Sequence, residues 1–335
     1  MSMTNGALVI SLDFELYWGM RDVVSIAQYR DNLLGVRQAV PAMLDLFRQQ
    51  EVHATWATVG MLMFDERADL MRSLPQVRPT YHRGELSTYA GLDAVGRNEQ
   101  EDPFHFGLSL VHRIAATPHQ EVASHTFSHY YCLEAGQTDE QFKADLAAAN
   151  RSAHRLNIDP KSLVFPRNQF NERYLKLCRS AGIECYRGNE TAWMYSARAG
   201  DDISSAQRAF RLIDSHVNLS GHHCATPRTS ARVIAGEPVD IPASRFLRPI
   251  GPQPKRFLDR LRMRRIKQSM AHAANNNALF HLWWHPHNFG ANVTDNIAFL
   301  REVLEHFARL RKQRKFQSWT MFEAATHAAP DRSAI

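Results

Sequence analysis

Three short stretches of this chain combine residue types that can hold a metal ion and move protons. Residues 11–15 read SLDFE. Side chains two apart in a strand share a face, so Asp13 and Glu15 can enter one cavity while Phe14 packs behind them. Two carboxylates placed together suit either metal binding or acid/base work. Residues 124–129 read SHTFSH, with His125 and His129 four apart. A helical turn there would put both imidazoles on one face, within reach of one ion. Two histidines and a carboxylate form a facial triad that leaves coordination positions open, so Asp13 or Glu15 as third ligand would make a metal-activated hydrolase. Residues 279–290 read LFHLWWHPHNFG, with His285 where Pro286 must stop a strand. Its ordinary pKa of about 6.5 allows both protonation states at neutral pH and fits a general acid.

Other residues could support this chemistry. In VFPRNQ, Arg167 could hold Asp13 ionised through paired hydrogen bonds, and Asn168 beside it is a candidate substrate contact. Trp283 and Trp284 suit packing, although one could stack on a sugar; Trp284 and His287 are taken as candidate substrate contacts. Asp214 closes the run RLID and could orient an imidazole or touch substrate, against the plainer reading of a turn residue. Each residue alone has a bland alternative as a cap, a core histidine or a solvated charge; the combination carries the argument. His222 and His223 precede Cys224 without a partner motif, so a second metal site is not expected.

These residues need elements to position them. Short apolar runs at residues 7–13, 53–59, 121–124, 163–165, 183–187, 212–214 and 279–284 read as strands, with helical patterns between. Pro41 can open one helix; Thr138 and Gln141 form a capping-box pair ahead of another. A third spans residues 171–181 with Gly182 as its left-handed cap, and a last begins near Thr294. This alternation predicts a parallel α/β sheet, open or closed into a barrel. Segments 61–118 and 220–277 break the rhythm and read as insertions into a single domain over residues 1–335. Residues 81–89, 102–106 and 240–249 in them are candidates to cover the active site.

Composition excludes several classes. With 335 residues, 44% of them hydrophobic and 22% charged, the chain is neither disordered nor fibrous. It has no run long enough for a membrane span, and its first ten residues lack the basic start and apolar core of a signal peptide, so a cytoplasmic enzyme is expected. Four cysteines without CxxC spacing predict no disulfide framework. The net charge is +6; residues 255–267 hold seven basic side chains against Asp259 alone. No nucleic-acid signature accompanies them; such basic helix faces are usually just solvated, and if this one has a role, attraction to the anionic inner membrane surface or to a substrate phosphate is the preferred reading.

The ordered set SLDFE, HATWATVG, SHTFSH, VFPRN and the late histidine in HLWWHPHNFG resembles the polysaccharide deacetylases with the NodB homology domain, carbohydrate esterase family 4. The resemblance covers most of the chain from Leu8 to about Leu310. It implies a distorted parallel (β/α)7 barrel and a divalent metal, zinc in the first place, with cobalt, nickel or ferrous iron as alternatives. It implies Asp13 as catalytic base, Glu15, His125 and His129 as ligands, His285 as general acid and Arg167 as support for the base. The family usually has adjacent aspartates, whereas Phe14 separates the carboxylates here; its third motif has arginine before proline, whereas Pro166 precedes Arg167. The wording also resembles a branch from bacterial O-antigen and capsule biosynthesis, implying an amino-sugar, nucleotide-sugar or lipid-linked glycan substrate. Deformylase or allantoinase-like hydrolysis of another C–N bond, and a silent glycan-binding protein, are the competing readings.

Overall fold

A computed structural model describes residues 5–190, 192–195, 204–225, 236–251, 253 and 255–328. Its strands are β1 (Ala7–Phe14), β2 (Ala54–Thr58), β3 (Gln120–Ser124), β4 (Ser162–Leu163), β5 (Cys185–Tyr186), β6 (Val239–Asp240), β7 (Arg245–Phe246), β8 (Leu279–Trp284) and β9 (Gln317–Trp319). Its helices are α1 (Ile26–Gln50), α2 (Arg67–Ser73), α3 (Leu108–Ala115), α4 (Asp139–His154), α5 (Glu172–Ser180), α6 (Ser205–Asp214), α7 (Arg256–Asn275), α8 (Val293–Arg314) and α9 (Met321–Ala328).

All strand pairs are parallel, in the order β6-β5-β4-β3-β2-β1-β8-β7. The parallel α/β sheet expected from the alternation is observed, and it has the distorted-barrel form that the resemblance implies: eight strands in a row curl into a half-barrel with helices packed against it, and a ninth adds to β1. β8 covers one edge of β1 along Ala7–Leu12, and β2 pairs only from Ser11 onward. β9 therefore finds free hydrogen-bonding groups at Ala7–Val9 and adds there.

β1 shows why the interior can be polar. Leu8, Ile10, Leu12 and Phe14 point into the main apolar core, where α1, α7 and α8 bury their own apolar faces. The alternate residues face inward, and this side carries Ser11 and Asp13 near the C-terminal end of the strand. The first extra segment packs Phe106, Leu110 and Val111 into the same core, and the second packs Met263, Ile266 and Met270 there. The second also supplies β6 and β7, so it completes the sheet as well as decorating it.

Two local expectations change. Residues 212–214 are the end of α6, not a strand. A three-residue apolar run cannot distinguish the two, and the Ser204–Gln207 capping box starts a helix. Pro41 lies inside α1, which starts much earlier at the Ser25–Gln28 capping box. β6, β7 and β9 are too short to leave a sequence pattern. The Thr138–Gln141 box and the left-handed Gly182 (φ +90) are found as expected.

Candidate metal and acid/base site

Asp13 ends the inward face of β1, and Glu15 follows on the next turn; both are buried. The loop after β3 delivers His125 and His129, not from a helix but from a bend with left-handed residues at Thr126 (φ +62) and His129 (φ +55). Asp145 of α4 holds this loop. Its Oδ1 accepts the Phe127 N–H at 2.7 Å and its Oδ2 accepts the Ser128 N–H at 3.2 Å and the Ser128 hydroxyl. Thr88, from the first extra segment, donates to the Ser128 carbonyl at 2.6 Å. Tyr81 from the same segment accepts the Tyr131 N–H at 2.8 Å.

The result is convergent. Nε2 of His125 and Nε2 of His129 lie 3.2 and 3.0 Å from the same Glu15 oxygen, Oε2. His125 Nδ1 lies 2.8 Å from the Val164 carbonyl, an acceptor, so Nδ1 carries the proton and Nε2 can present a lone pair. A ligand atom from each of Glu15, His125 and His129 falls within 4.8 Å of the others; no further such cluster occurs among the described residues. Two imidazoles and one carboxylate, buried and aimed at a common point, are a donor set that fits a divalent first-row ion.

His285 completes the group, with Nε2 3.6 Å from Glu15 Oε1 and 3.7 Å from Asp13 Oδ2. The turn behind it is pressed onto α1. A Cβ on Gly35 would lie 2.1 Å from the Gly290 carbonyl oxygen, and one on Gly290 would lie 2.0 Å from that of Asn32. Asn32 also donates to the His287 carbonyl at 3.0 Å. His287 is buried, its Nε2 is 3.9 Å from Glu15 Oε1, and burial pushes its pKa down to about 3. Of the two histidines, His285 is the one partly open to solvent.

The expected contact between Arg167 and Asp13 is not made. Arg167 Nη2 donates to Asp22 Oδ2 at 2.5 Å, and the guanidinium lies 4.5 Å from the Tyr131 ring centre. Its backbone is left-handed (φ +55) after Pro166, which turns the side chain to the rim. Arg187, just past β5, takes the place instead. Its Nη1 and Nη2 donate to the two Asp13 oxygens at 2.6 and 2.7 Å, and it also reaches Ser11 and the Asn168 side-chain oxygen. Trp283 covers the Arg187 guanidinium at 4.2 Å. Burial pushes the Asp13 carboxyl up, but Arg187, with His125 and His285, outweighs it and holds the pKa below the ordinary carboxylate value. Glu15 is likewise raised by burial and drawn well below its ordinary value by His285, His129 and His125.

The remaining candidates separate. Asn168 borders the site through Arg187. Trp284 does not face the site; it is fully buried against Phe47 and Phe289 in the helix layer. Strand alternation from His285 selects Trp283, whose ring lies 5.8 Å from that of His285. Asp214 sits at the end of α6, where it accepts from the Leu219 and Ser220 N–H groups, Tyr195 and Arg245, as a structural clasp. His222 stacks on His272 at 4.4 Å and joins no metal cluster among the described residues.

Residues 29–186 match the family model described as polysaccharide deacetylase. That span contains His125 and His129 but not Asp13, Glu15, Arg187 or His285. Among solved structures, the fold is similar to a protein designated a polysaccharide deacetylase from Mycobacterium smegmatis (13% identity, 97% of this chain and 91% of that one, TM-score 0.58). It is also similar to the allantoinase PuuE (12%, 96% and 89%, 0.54) and to a second protein designated a polysaccharide deacetylase, from Pseudomonas aeruginosa PAO1 (12%, 96% and 90%, 0.54). A comparison with curated proteins found no match. The family match covers residues 29–186, and the likeness to the solved structures is one of fold. No helix among the described residues is long and apolar enough to cross a membrane.

Proposed function

We propose that this protein is a metal-dependent hydrolase that removes an N-acyl group, acetyl in the first place, from an amino sugar. The observation that carries this is the convergence of Glu15, His125 and His129 beside a separately held Asp13 and a partly open His285. Glu15, His125 and His129 would hold the ion, zinc by donor type. When bound, such an ion supplies polarisation of an acyl carbonyl and acidifies water.

The protein's own residues supply the rest. Arg187 engages both Asp13 oxygens and keeps the group ionised, so Asp13 is ready to accept a proton from an attacking water. His285 Nε2 stands 3.7 Å from the base carboxylate and donates its proton to the amine as the C–N bond breaks. Trp283 and Asn168 border the space beside Arg187 and would contact the sugar. Motif order and wording favour an intracellular amino-sugar, nucleotide-sugar or lipid-linked glycan of O-antigen or capsule assembly as substrate.

The test is metal analysis of the purified protein, followed by NMR detection of acetate from candidate N-acetylated amino sugars. Formate or a ring-opened amide as the product would move the protein to the deformylase or allantoinase-like reading. Absence of bound metal, and of turnover after zinc, cobalt or nickel addition, would favour a silent glycan-binding protein.

A further inference from the structure

Helix α6 is amphipathic in the opposite sense to a helix that serves only to pack. Its buried side chains are Gln207 and Asp214, whereas Phe210, Leu212 and Ile213 are 44%, 51% and 49% exposed. The apolar surface continues through Val217 and Leu219, both 51% exposed, and through Trp193, whose ring meets Phe210 at 5.8 Å. The Asp214 clasp fixes this orientation from below, so the apolar side is presented by design of the packing.

The first turns of α7 carry a matching feature. Phe257 is 71% exposed and Leu258 36%, among the exposed cations Lys255, Arg256, Arg260 and Arg264. The two helices meet beneath these side chains: Arg265 of α7 lies 3.8 Å from Asp214 at the end of α6, and Arg262 of α7 donates to the Arg248 and Pro249 carbonyls at 2.9 and 3.1 Å. Of the seven cations in residues 255–267, Arg262 and Arg265 turn inward and Lys267 pairs with Glu302. The four that face solvent cluster around the exposed aromatic.

We propose that α6 and the start of α7 form a docking surface for an anionic lipid bilayer. Apolar and aromatic side chains framed by arginine and lysine match the boundary between acyl chains and anionic headgroups. A second copy of the chain fits less well, because a two-fold contact through this surface would set like charges against each other. Docking would also place the barrel mouth at the lipid surface. Trp193 is three residues, at most about 11 Å, from Glu190, whose carboxylate accepts from Trp283 at 3.4 Å beside His285.

The experiment is flotation of the full chain with phosphatidylcholine vesicles, with and without phosphatidylglycerol, at low and high salt. The expected result is binding at least about tenfold stronger to the phosphatidylglycerol vesicles, weakened by salt. Phe210→Ser with Leu212→Ser, and separately Arg256→Glu with Arg260→Glu, should each reduce it about tenfold with unchanged Tm. Absent binding, equal binding to neutral vesicles, or insensitivity to both double variants would overturn the proposal. So would a concentration-dependent dimer that Leu212→Ser dissolves, which would assign the face to a second copy. None of these readouts depends on activity at the metal site.

Discussion

Asp13 and Asp214 are both buried aspartates answered by arginine, yet their surroundings differ in one decisive respect. Asp214 is saturated: two backbone N–H groups, the Tyr195 hydroxyl and Arg245 engage its two oxygens, and Arg265 stands at 3.8 Å. Nothing is left over for chemistry, and the group locks the end of α6 to the body. Asp13 receives a bidentate arginine on one side and keeps its other side toward His285 and the Glu15 cluster. A charge held firmly from behind and left open in front is what a proton acceptor needs. Buried ion pairs alone therefore do not mark a site; incomplete satisfaction beside a cavity does.

The largest effect should come from Asp13→Asn. Loss of a general base lowers turnover by about 10²–10⁴-fold. Turnover of an identified substrate within a few-fold of the parent would remove the proton-acceptor role and erase the contrast with Asp214. Next is Asp214→Ala, which leaves Arg245 and Arg265 buried without a counter-charge and should cost about 3–5 kcal/mol of stability. Thermal unfolding reads that loss, while kcat per folded molecule should stay within a few-fold. A kcat collapse without a Tm change would place Asp214 in the chemistry and break the comparison from the other side.

Arg187 sharpens the same contrast, because it serves both stability and the base. Arg187→Met leaves Asp13 buried without its bidentate arginine, so Tm should fall and turnover should fall with it. Arg167→Met, which removes the pair with Asp22 and the cation over the Tyr131 ring but no contact with Asp13, should change either quantity less. Equal effects would mean that the rim arginine also supports the base.

Much of the site was legible because its signals are local. Strand alternation put Asp13 and Glu15 at the end of β1, and the SHTFSH spacing brought His125 and His129 together, though through left-handed loop residues and not a helical turn. Arg187 was missed because its partner lies 174 residues away, through a sheet register that no local pattern encodes. A signal existed: Arg187 ends an apolar run at the mouth of the barrel, the same positional argument that selects Asp13. The choice of Trp284 over Trp283 failed on alternation counted from His285. Residues 212–214 were read as a strand because a three-residue apolar run has no period. α6 places Leu212 and Ile213 outward, a placement fixed by the Asp214 clasp and invisible from the run itself.

A third buried aspartate gives the last way to sharpen the comparison, since Asp145 pairs with no cation among the described residues. It is 1% exposed and answered only by the Phe127 and Ser128 N–H groups and the Ser128 hydroxyl. Burial outweighs those hydrogen bonds and pushes its pKa from 3.8 up to about 6. The folded state therefore binds a proton that the unfolded state has already released between these values, and stability falls as pH rises from about 4 to about 6. Deprotonation should cost on the order of 3 kcal/mol once complete. Asp145→Asn cannot ionise and should flatten this part of the stability–pH profile, measured by chemical unfolding at pH 4, 5, 6 and 7. Because Asp145 fixes the loop between His125 and His129, the same substitution should loosen metal binding through position alone. An unchanged profile would mean that hydrogen bonds from two backbone amides suffice to hold a buried carboxylate charged here, and that arginine at Asp13 and Asp214 serves geometry more than charge.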